Sequence, residues 1–140
     1  AKAVLEPGKE SIEIETLLAK RGDGSSPYIV CAFRIVKPKK SIYLQVGRAP
    51  TDLPIVCTAA AVLPVSGKED RIQIAIGGYG ERPVRIVVSC SPTRPDLYTS
   101  VISAGREAYL KANDAWASGE YRSEVVSVLI QRVIKKVMEE

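Results

Sequence analysis

Three glycines follow an apolar stretch in the segment IAIGGYGERPVR, which covers residues 74–85. Glycines placed after a strand can let the backbone approach a phosphate group, as they do in dinucleotide-binding folds. However, Gly77, Gly78 and Gly80 do not form the G-x-G-x-x-G pattern, and Pro83 stands where a helix should begin. We therefore interpret the segment as a tight turn that needs unusual backbone angles, not as a phosphate-binding loop.

A second segment with candidate chemistry covers residues 113–137. Asp114 precedes Trp116, but one carboxylate without a partner does not make an acid–base pair. We interpret Asp114 as a loop or capping residue ahead of the final helix. Tyr121 and Arg122, at the start of that helix, are expected to hold the loop by side-chain hydrogen bonds.

The composition excludes several kinds of catalysis. The chain has no histidine, which removes Ser–His and Cys–His nucleophile pairs and the commonest metal ligand. Its cysteines, Cys31, Cys57 and Cys90, are widely separated, whereas zinc and iron–sulfur sites usually show paired ligands at short spacing. Each cysteine lies in an apolar stretch, so we predict buried cysteines in strands. Neither a catalytic residue nor a metal site is predicted.

Length and charge indicate the general class of protein. At 140 residues, with 46% hydrophobic residues, the chain is expected to form a single domain. A net charge of +4 is mild, and the basic cluster that starts at Arg34 is broken by Pro38, so nucleic-acid binding is not expected. The sequence contains neither an apolar run of membrane-spanning length nor a signal peptide, which predicts a cytoplasmic location.

The first two thirds of the chain has the pattern of strands. Ile12, Ile14 and Thr16 alternate with glutamates, which predicts a half-buried strand as far as Thr16. After the polar break RGDGSSP, the apolar stretch YIVCAFRIV predicts a second strand. SIYLQV follows the PKK turn and predicts a third strand, which we expect to pair with the second as a hairpin.

Three more strands are predicted between residues 54 and 90. PIVCTAAAVLPV indicates a central strand covered on both faces, whose alanines at 59–61 would let a helix approach closely. RIQIAIGG alternates cleanly and places Ile72, Ile74 and Ile76 on one face. RPVRIVVSC predicts a further strand.

The last third of the chain changes to a helical period. Leu97, Val101, Ala104 and Ala108 recur at helical spacing in a run that ends near Asn113. A final helix is predicted from Glu120 to the end of the chain. Its apolar stripe comprises Tyr121, Val125, Leu129 and Val133, is widened by Val126, Ile130 and Ile134, and leaves Arg122, Glu124, Gln131, Lys135 and Lys136 outside.

Strands first and helices last predict an α+β fold, with an antiparallel or mixed sheet covered by C-terminal helices.

The segments at residues 74–85 and 113–137 resemble parts of the C-terminal domain of the flavoprotein subunits of molybdenum hydroxylases, the xanthine dehydrogenase and carbon monoxide dehydrogenase family. In that family a strand similar to I-A-I-G-G-V precedes x-x-P-x-R, and D-x-x-A-S-x-E-Y-R opens a final apolar helix that contains an arginine. The matching residues here are Gly77, Gly78, Pro83 and Arg85, followed by Asp114, Ala117, Ser118, Glu120, Tyr121, Arg122 and Arg132.

A third match lies upstream and extends the resemblance over nearly the whole chain. The family pattern there is an aromatic residue, a lysine two residues on, an arginine, and an aspartate leading into an alanine-rich strand. Tyr43, Arg48, Asp52 and the strand at 55–62 fit this pattern, with Gln45 in the position of the lysine. LEPGKESIEIE also resembles the first strand of the family's domain.

The resemblance implies a role in electron transfer. In such enzymes a molybdenum–pterin subunit oxidises the substrate, and iron–sulfur clusters on a partner pass the electrons to FAD. FAD is held mainly by a separate N-terminal region, which this sequence does not contain. The domain is therefore expected to support the FAD site and subunit assembly as part of an oxidoreductase complex, and not to be catalytic alone.

Two departures from the family pattern leave alternatives open. The resemblance places Gln45, Arg48 and Asp52 at the FAD edge. Gln45 supplies no positive charge to a reduced, anionic flavin, which leaves Arg48 and Asp52 as the best candidates of the three. The same two residues could instead form an ion pair that pins a turn. The stretch from 16 to 41 is also longer than usual. The alternative function is a free-standing interaction module of the same fold without redox activity.

Overall fold

The computed structural model describes residues 1–20, 28–65, 70–89 and 95–139. The chain divides into two compact units, residues 1–37 and residues 38–140. Cys90 and the side chain of Leu97 lie outside the described part, so the predictions made for them are not addressed.

The first unit is a small antiparallel sheet with one short helix. Its elements are β1 (Lys2–Glu6), β2 (Glu10–Glu13), α1 (Ile14–Lys20) and β3 (Ile29–Arg34). β1 lies between β2 and β3. Ala3 and Leu5 of β1 are buried, whereas every residue of β3 is exposed.

The strand predicted as far as Thr16 was wrong in its extent, because β2 ends at Glu13 and α1 begins at Ile14. Ile14, Leu17 and Leu18 are the partly buried residues of α1. Their spacing of three and four residues suits one face of a helix, and the leucines and alanine of IETLLAK are good helix formers. The helical period therefore starts two residues before the alternating pattern ends.

The predicted hairpin between the second and third strands was also wrong. β3 pairs with β1, and β4 (Lys40–Val46) pairs with β5 (Val56–Leu63) over seven residue pairs. Cys31, predicted to be buried, is exposed because it lies on β3, an edge strand of a three-stranded sheet. Sequence proximity favours hairpins in general, but here Ile42 and Tyr43 of β4 lie opposite the small residues Ala60 and Ala59 of β5, and such cross-strand pairs stabilise a sheet.

The second unit is a four-stranded antiparallel sheet followed by two helices. β4, β5, β6 (Arg71–Gly77) and β7 (Val84–Ser89) are neighbours in that order. The helices are α2 (Pro95–Tyr109) and α3 (Gly119–Met138), which pack on each other, and α3 also contacts β5 and β4. The predicted α+β fold, an antiparallel sheet covered by C-terminal helices, is confirmed.

The core of this unit lies between the sheet and the helices. As predicted, β6 buries Ile72, Ile74 and Ile76 on one face. β5 buries only alternate residues, and its other face, which includes Cys57, is half-buried. The prediction that both faces are covered was wrong, because the described helices pack on the face that carries the buried residues. The core residues are Val56, Ala60, Val62, Ile72, Ile74, Ile76, Val88, Val101, Tyr109, Ala112, Val126, Leu129, Ile130, Val133, Ile134 and Val137.

α2 ends at Tyr109 and presents a different face from the predicted one. Val101, Gly105 and Tyr109 are buried, whereas Ala104 and Ala108 are exposed. A Cβ on Gly105 would lie 2.4 Å from the Cδ1 atom of Ile130, so α2 and α3 pack closely at this glycine. The close packing of two helices therefore decides the orientation of α2, which the apolar spacing did not reveal.

α3 begins with a well-formed cap. Ser118 is its N-cap residue, and the hydroxyl oxygen accepts a hydrogen bond from the backbone N–H of Tyr121 at 3.2 Å. The predicted apolar stripe is largely confirmed, except that Tyr121 is exposed and Arg122, placed outside the stripe, is buried. Among the described helices, none is long and apolar enough to cross a membrane.

Candidate functional site: a three-loop junction at Arg122

Three loops of the second unit meet at one side chain. They are the β4–β5 loop (47–55), the β6–β7 loop (78–83) and the α2–α3 loop (110–118). Arg122, in the first turn of α3, contacts a residue of each loop and is only 1% exposed. We call this arrangement, made by Arg122 with Ile55, Gly78 and Asp114, the three-loop junction.

The guanidinium of Arg122 donates hydrogen bonds to all three loops. Its Nη1 donates to the backbone carbonyl of Ile55 and, at 3.1 Å, to that of Gly78. Its Nη2 donates to Oδ2 of Asp114 at 2.5 Å. The guanidinium carbon also lies 5.1 Å from the ring centroid of Tyr79. A buried charge requires such pairing, and the planar fork of arginine can serve several acceptors at once.

One donor of the junction is left over. The Nε atom of Arg122 is buried and has no hydrogen-bond partner within the part of the chain that the structure describes. Buried donors in folded proteins are nearly always paired, so this N–H stands out from the rest of the site.

Asp114 organises its own loop as well as pairing with Arg122. Its Oδ1 accepts hydrogen bonds from the backbone N–H groups of Trp116 at 2.8 Å and Ala117 at 3.0 Å. Burial acts to raise the pKa of the Asp114 carboxyl, but the hydrogen bonds from Arg122, Trp116 and Ala117 outweigh it. The pKa therefore lies below its ordinary value, and the side chain is a carboxylate near neutral pH. This geometry is that of a loop residue, as interpreted from the sequence.

The glycine segment forms the β6–β7 turn, and its backbone explains the residue choice. Gly78 has φ of 104° and Gly80 has φ of 79°, angles that other residues rarely adopt. A Cβ on Gly78 would also lie 2.6 Å from the carbonyl oxygen of Ile55. Strand β7, not a helix, follows this turn. The segment therefore lacks the helix N-terminus on which phosphate-binding glycine loops depend.

Further hydrogen bonds tie α2 and its loop to the sheet and to α3. The buried hydroxyl of Tyr109 donates to the carbonyl of Gly77 at 2.7 Å, and burial raises the pKa of Tyr109 to about 12. Oδ1 of Asn113 accepts from the N–H of Gly119 at 2.8 Å. These contacts hold the end of α2 against the same edge of the sheet that carries the glycine turn.

A pocket of about 280 Å³ opens beside the junction. The guanidinium carbon of Arg48 lies 4.6 Å from the ring centroid of Trp116 at its rim. Trp116 is 60% exposed and Leu53 is 91% exposed, so the rim is apolar as well as charged. The residues that line the pocket are Arg48, Asp52, Leu53, Pro54, Ile55, Gly78, Asp114, Trp116 and Arg122.

Arg48 and Asp52 both line this pocket but do not pair with each other. Among the described residues, Arg48 stacks on Trp116 and makes no ion pair with Asp52. The turn between them is closed by the backbone, because the N–H of Asp52 donates to the carbonyl of Ala49 at 3.1 Å. An Arg–Asp pair that pins this turn is therefore not seen.

Gln45 lies apart from the pocket, on β4 opposite Cys57. Its Oε1 accepts a hydrogen bond from the hydroxyl of Tyr43 at 2.8 Å. Tyr43 and Arg85 lie on the sheet face away from the helices, beside a shallow depression of about 400 Å³. The remaining motif residues are peripheral: Pro83 lies in the glycine turn, and Glu120, Tyr121 and Arg132 are exposed on α3.

The structure thus brings together Arg48, Asp52, Gly78, Asp114 and Arg122. Sequence reasoning missed Trp116 and Tyr79 as contacts of the two arginines. The tryptophan two residues after the motif aspartate was the signal in the sequence for the first of them. Within the described ranges, no group of three or more histidine, cysteine, aspartate or glutamate side chains could hold a metal ion.

The fold and the junction define an α+β domain whose loops build a pocket at one end of its sheet. Residues 41–137 match the CO dehydrogenase flavoprotein C-terminal domain family. Because this match covers most of the chain, the protein belongs to that family, as the resemblance predicted.

A solved structure shares the fold. The fold is similar to that of quinoline 2-oxidoreductase from Pseudomonas putida 86, with a TM-score of 0.53 and 20% sequence identity. The similarity covers 69% of this chain and 35% of that one, so the chain spans about a third of the matched chain's length. The comparison with curated proteins gave no match.

Proposed function

We propose that the chain is the C-terminal domain of the flavoprotein subunit of a cytoplasmic molybdenum hydroxylase of the xanthine or carbon monoxide dehydrogenase type. In this role it closes one edge of the FAD site and contacts the iron–sulfur and molybdenum subunits. One observation carries the proposal: residues that match the family's motifs, from three distant segments, converge on a single pocket. These residues are Arg48, Asp52, Gly78, Asp114 and Arg122.

The residues present fit one edge of FAD and not the whole cofactor. Pockets that hold a complete ligand usually measure roughly 300 to 1,000 Å³, and this one measures about 280 Å³. Its apolar walls and its stacked Arg48–Trp116 pair suit part of a planar ring. The glycine turn at 78–80 leads into a strand, so the pyrophosphate must be held elsewhere, in the separate FAD-binding region.

FAD, when bound, would supply the redox chemistry by accepting electrons from the iron–sulfur clusters. The residues of this chain would set the electrostatics at its edge. Arg48 carries a permanent positive charge at the rim, which favours an anionic reduced flavin. Gln45 is neutral and occupied by Tyr43, so it offers no such charge. The domain excludes water from its side of the ring and has no turnover of its own.

Flavin titration tests the proposal directly. The chain is purified alone and together with its cognate FAD-binding region, and bound FAD is measured by absorbance and fluorescence. We expect no stoichiometric flavin on the chain alone and tighter FAD binding to the two together than to the FAD-binding region alone. Arg48→Gln should weaken that gain and lower the flavin reduction potential, whereas the exposed control Arg132→Gln should change neither. Stoichiometric flavin on the isolated chain contradicts the proposal.

A second candidate function is an interaction module of the same fold without redox activity. The observation that favours it is Gln45, which stands in the position of the family lysine. Affinity purification of the chain from its native cells decides between the two. Recovery of FAD, iron–sulfur and molybdenum subunits in one complex supports the first function, whereas a complex without FAD supports the second.

A further inference from the structure

Arg48 and Trp116 belong to different loops, yet both are connected to Arg122. The N–H of Trp116 is held by Oδ1 of Asp114, and Oδ2 of the same carboxylate accepts from Arg122. The β4–β5 loop that carries Arg48 is held by the hydrogen bond from Arg122 to the carbonyl of Ile55. One buried guanidinium therefore contacts both of the loops that supply the stacked pair.

The cation–π contact by itself holds the stacked pair only weakly. Trp116 is 60% exposed, so core packing does not fix its ring. An exposed cation–π contact contributes only about 0.5–1 kcal/mol, which is too little to order two loops. Charge-assisted hydrogen bonds in a buried network are stronger and reinforce one another. Backbone hydrogen bonds, such as that from the N–H of Ile55 to the carbonyl of Val46, shape each loop by itself, whereas the junction joins the two loops to each other.

We propose that Arg122 and Asp114 are positioning residues for the Arg48–Trp116 pair. Arg122 fixes the two loops relative to each other, and Asp114 transmits that constraint to the backbone of Trp116. The charge of Arg48 is thereby held over one side of the pocket. The effect of that charge on a flavin rests on the proposed function, whereas the positioning itself is a property of this chain alone.

Trp116 is the only tryptophan of the chain and reports on its own environment. Acrylamide, a neutral quencher, is used to measure how accessible the indole is in each variant. Arg48 covers one of the two ring faces, so removing it should raise the quenching constant by up to about two-fold. Arg48→Gln provides this reference value. The control Arg132→Gln, on the exposed face of α3, should leave the quenching constant unchanged.

Asp114 and Arg122 are then replaced to break the connection. Asp114→Ala removes both of its links, and Asp114→Asn keeps an oxygen for the N–H of Trp116 but loses the pairing with Arg122. Both should raise the quenching constant as much as Arg48→Gln does. Combining either with Arg48→Gln should add nothing, because the same contact is already lost. Arg122→Lys should keep only part of the protection of Trp116 against acrylamide, because an ammonium cannot reproduce the planar fork of a guanidinium.

The outcomes are decisive in both directions. An unchanged quenching constant in Asp114→Asn shows that Arg122 does not position Trp116, and additive effects show that Asp114 acts independently of Arg48. Either result overturns the proposal. The quenching constant of Arg122→Lys is measured only at temperatures where circular dichroism shows that this variant is folded. If Arg122→Lys does not fold, Asp114→Asn supplies the test. The two proposals can fail separately. If the quenching pattern is as expected but Arg48→Gln leaves the flavin reduction potential unchanged, the proposed function is contradicted and the positioning role stands.

Discussion

Replacement of Arg122 by methionine should strongly destabilise the second unit. Methionine fills a similar volume but donates no hydrogen bond, so the carbonyls of Ile55 and Gly78 lose their donor and Asp114 loses its cation. Breaking a buried ion pair by removing one partner costs about 3–5 kcal/mol. The side chain of Asp114 is 32% exposed, and water can replace part of its lost contact. We therefore expect a loss near the lower end, about 3 kcal/mol.

Urea denaturation followed by circular dichroism measures this loss. With a slope of about 1.5 kcal/mol per molar urea, a loss of about 3 kcal/mol moves the midpoint down by about 2 M. Arg132→Met, an exposed arginine on the same helix, should change stability by less than about 0.5 kcal/mol. The reasoning fails if the midpoints of Arg122→Met and Arg132→Met agree, because the buried guanidinium would then contribute nothing beyond a surface residue.

Three further predictions concern the contacts around the junction. Gly78→Ala should destabilise the protein by at least about 2 kcal/mol more than Gly80→Ala. Both glycines have positive φ, but only at Gly78 would a Cβ meet a backbone carbonyl. Equal urea midpoints of the two variants would refute this prediction. Tyr109→Phe should cost about 1 kcal/mol at neutral pH through the lost bond to Gly77. The raised pKa of Tyr109 means that its stabilisation is complete below the unfolded pKa of about 10 and is lost as pH rises toward 12. The difference in the free energy of unfolding between wild type and Tyr109→Phe should therefore narrow as the pH rises above about 10. A difference that widens would contradict a stabilising hydrogen bond from the Tyr109 hydroxyl. Asp114 has a lowered pKa, so its stabilisation is present above the unfolded value of about 3.9 and is lost as pH falls through the folded value. Asp114→Asn should thus have a lower free energy of unfolding than wild type at pH 7, and this difference should shrink as the pH falls. A difference that stays constant from pH 7 into the acid range would exclude the ion pair as its cause.

Regular periodicity made much of the second unit predictable. Strand β6 alternates because one face packs on helices and the other does not, and α3 repeats its apolar residues for the same reason. The exception is Arg122, which lies four residues before Val126 and seven before Leu129 and so shares their buried face, although its charge led us to place it outside the stripe. Its burial depends on acceptors in three other segments, and the spacing of residues along one helix contains no information about them.

Strand pairing and helix orientation were less accessible from the sequence. Whether β4 pairs with β3 or β5 depends on how the side chains of two strands fit, which is a property of the pair. Likewise, Gly105 rather than Ala104 faces α3 because close approach of two helices needs the smallest side chain. The candidate site was predicted as separate motifs, and only the folded chain brings Arg48 to Trp116.

The residues of the three-loop junction are far apart along the chain, so they are synthesised at different times. The partners of Arg122 lie 67, 44 and 8 residues before it, at Ile55, Gly78 and Asp114. During synthesis the sheet strands therefore leave the ribosome well before the side chain that joins their loops. A chain interrupted just ahead of Arg122 would contain the other residues that line the pocket but not the side chain that joins their loops.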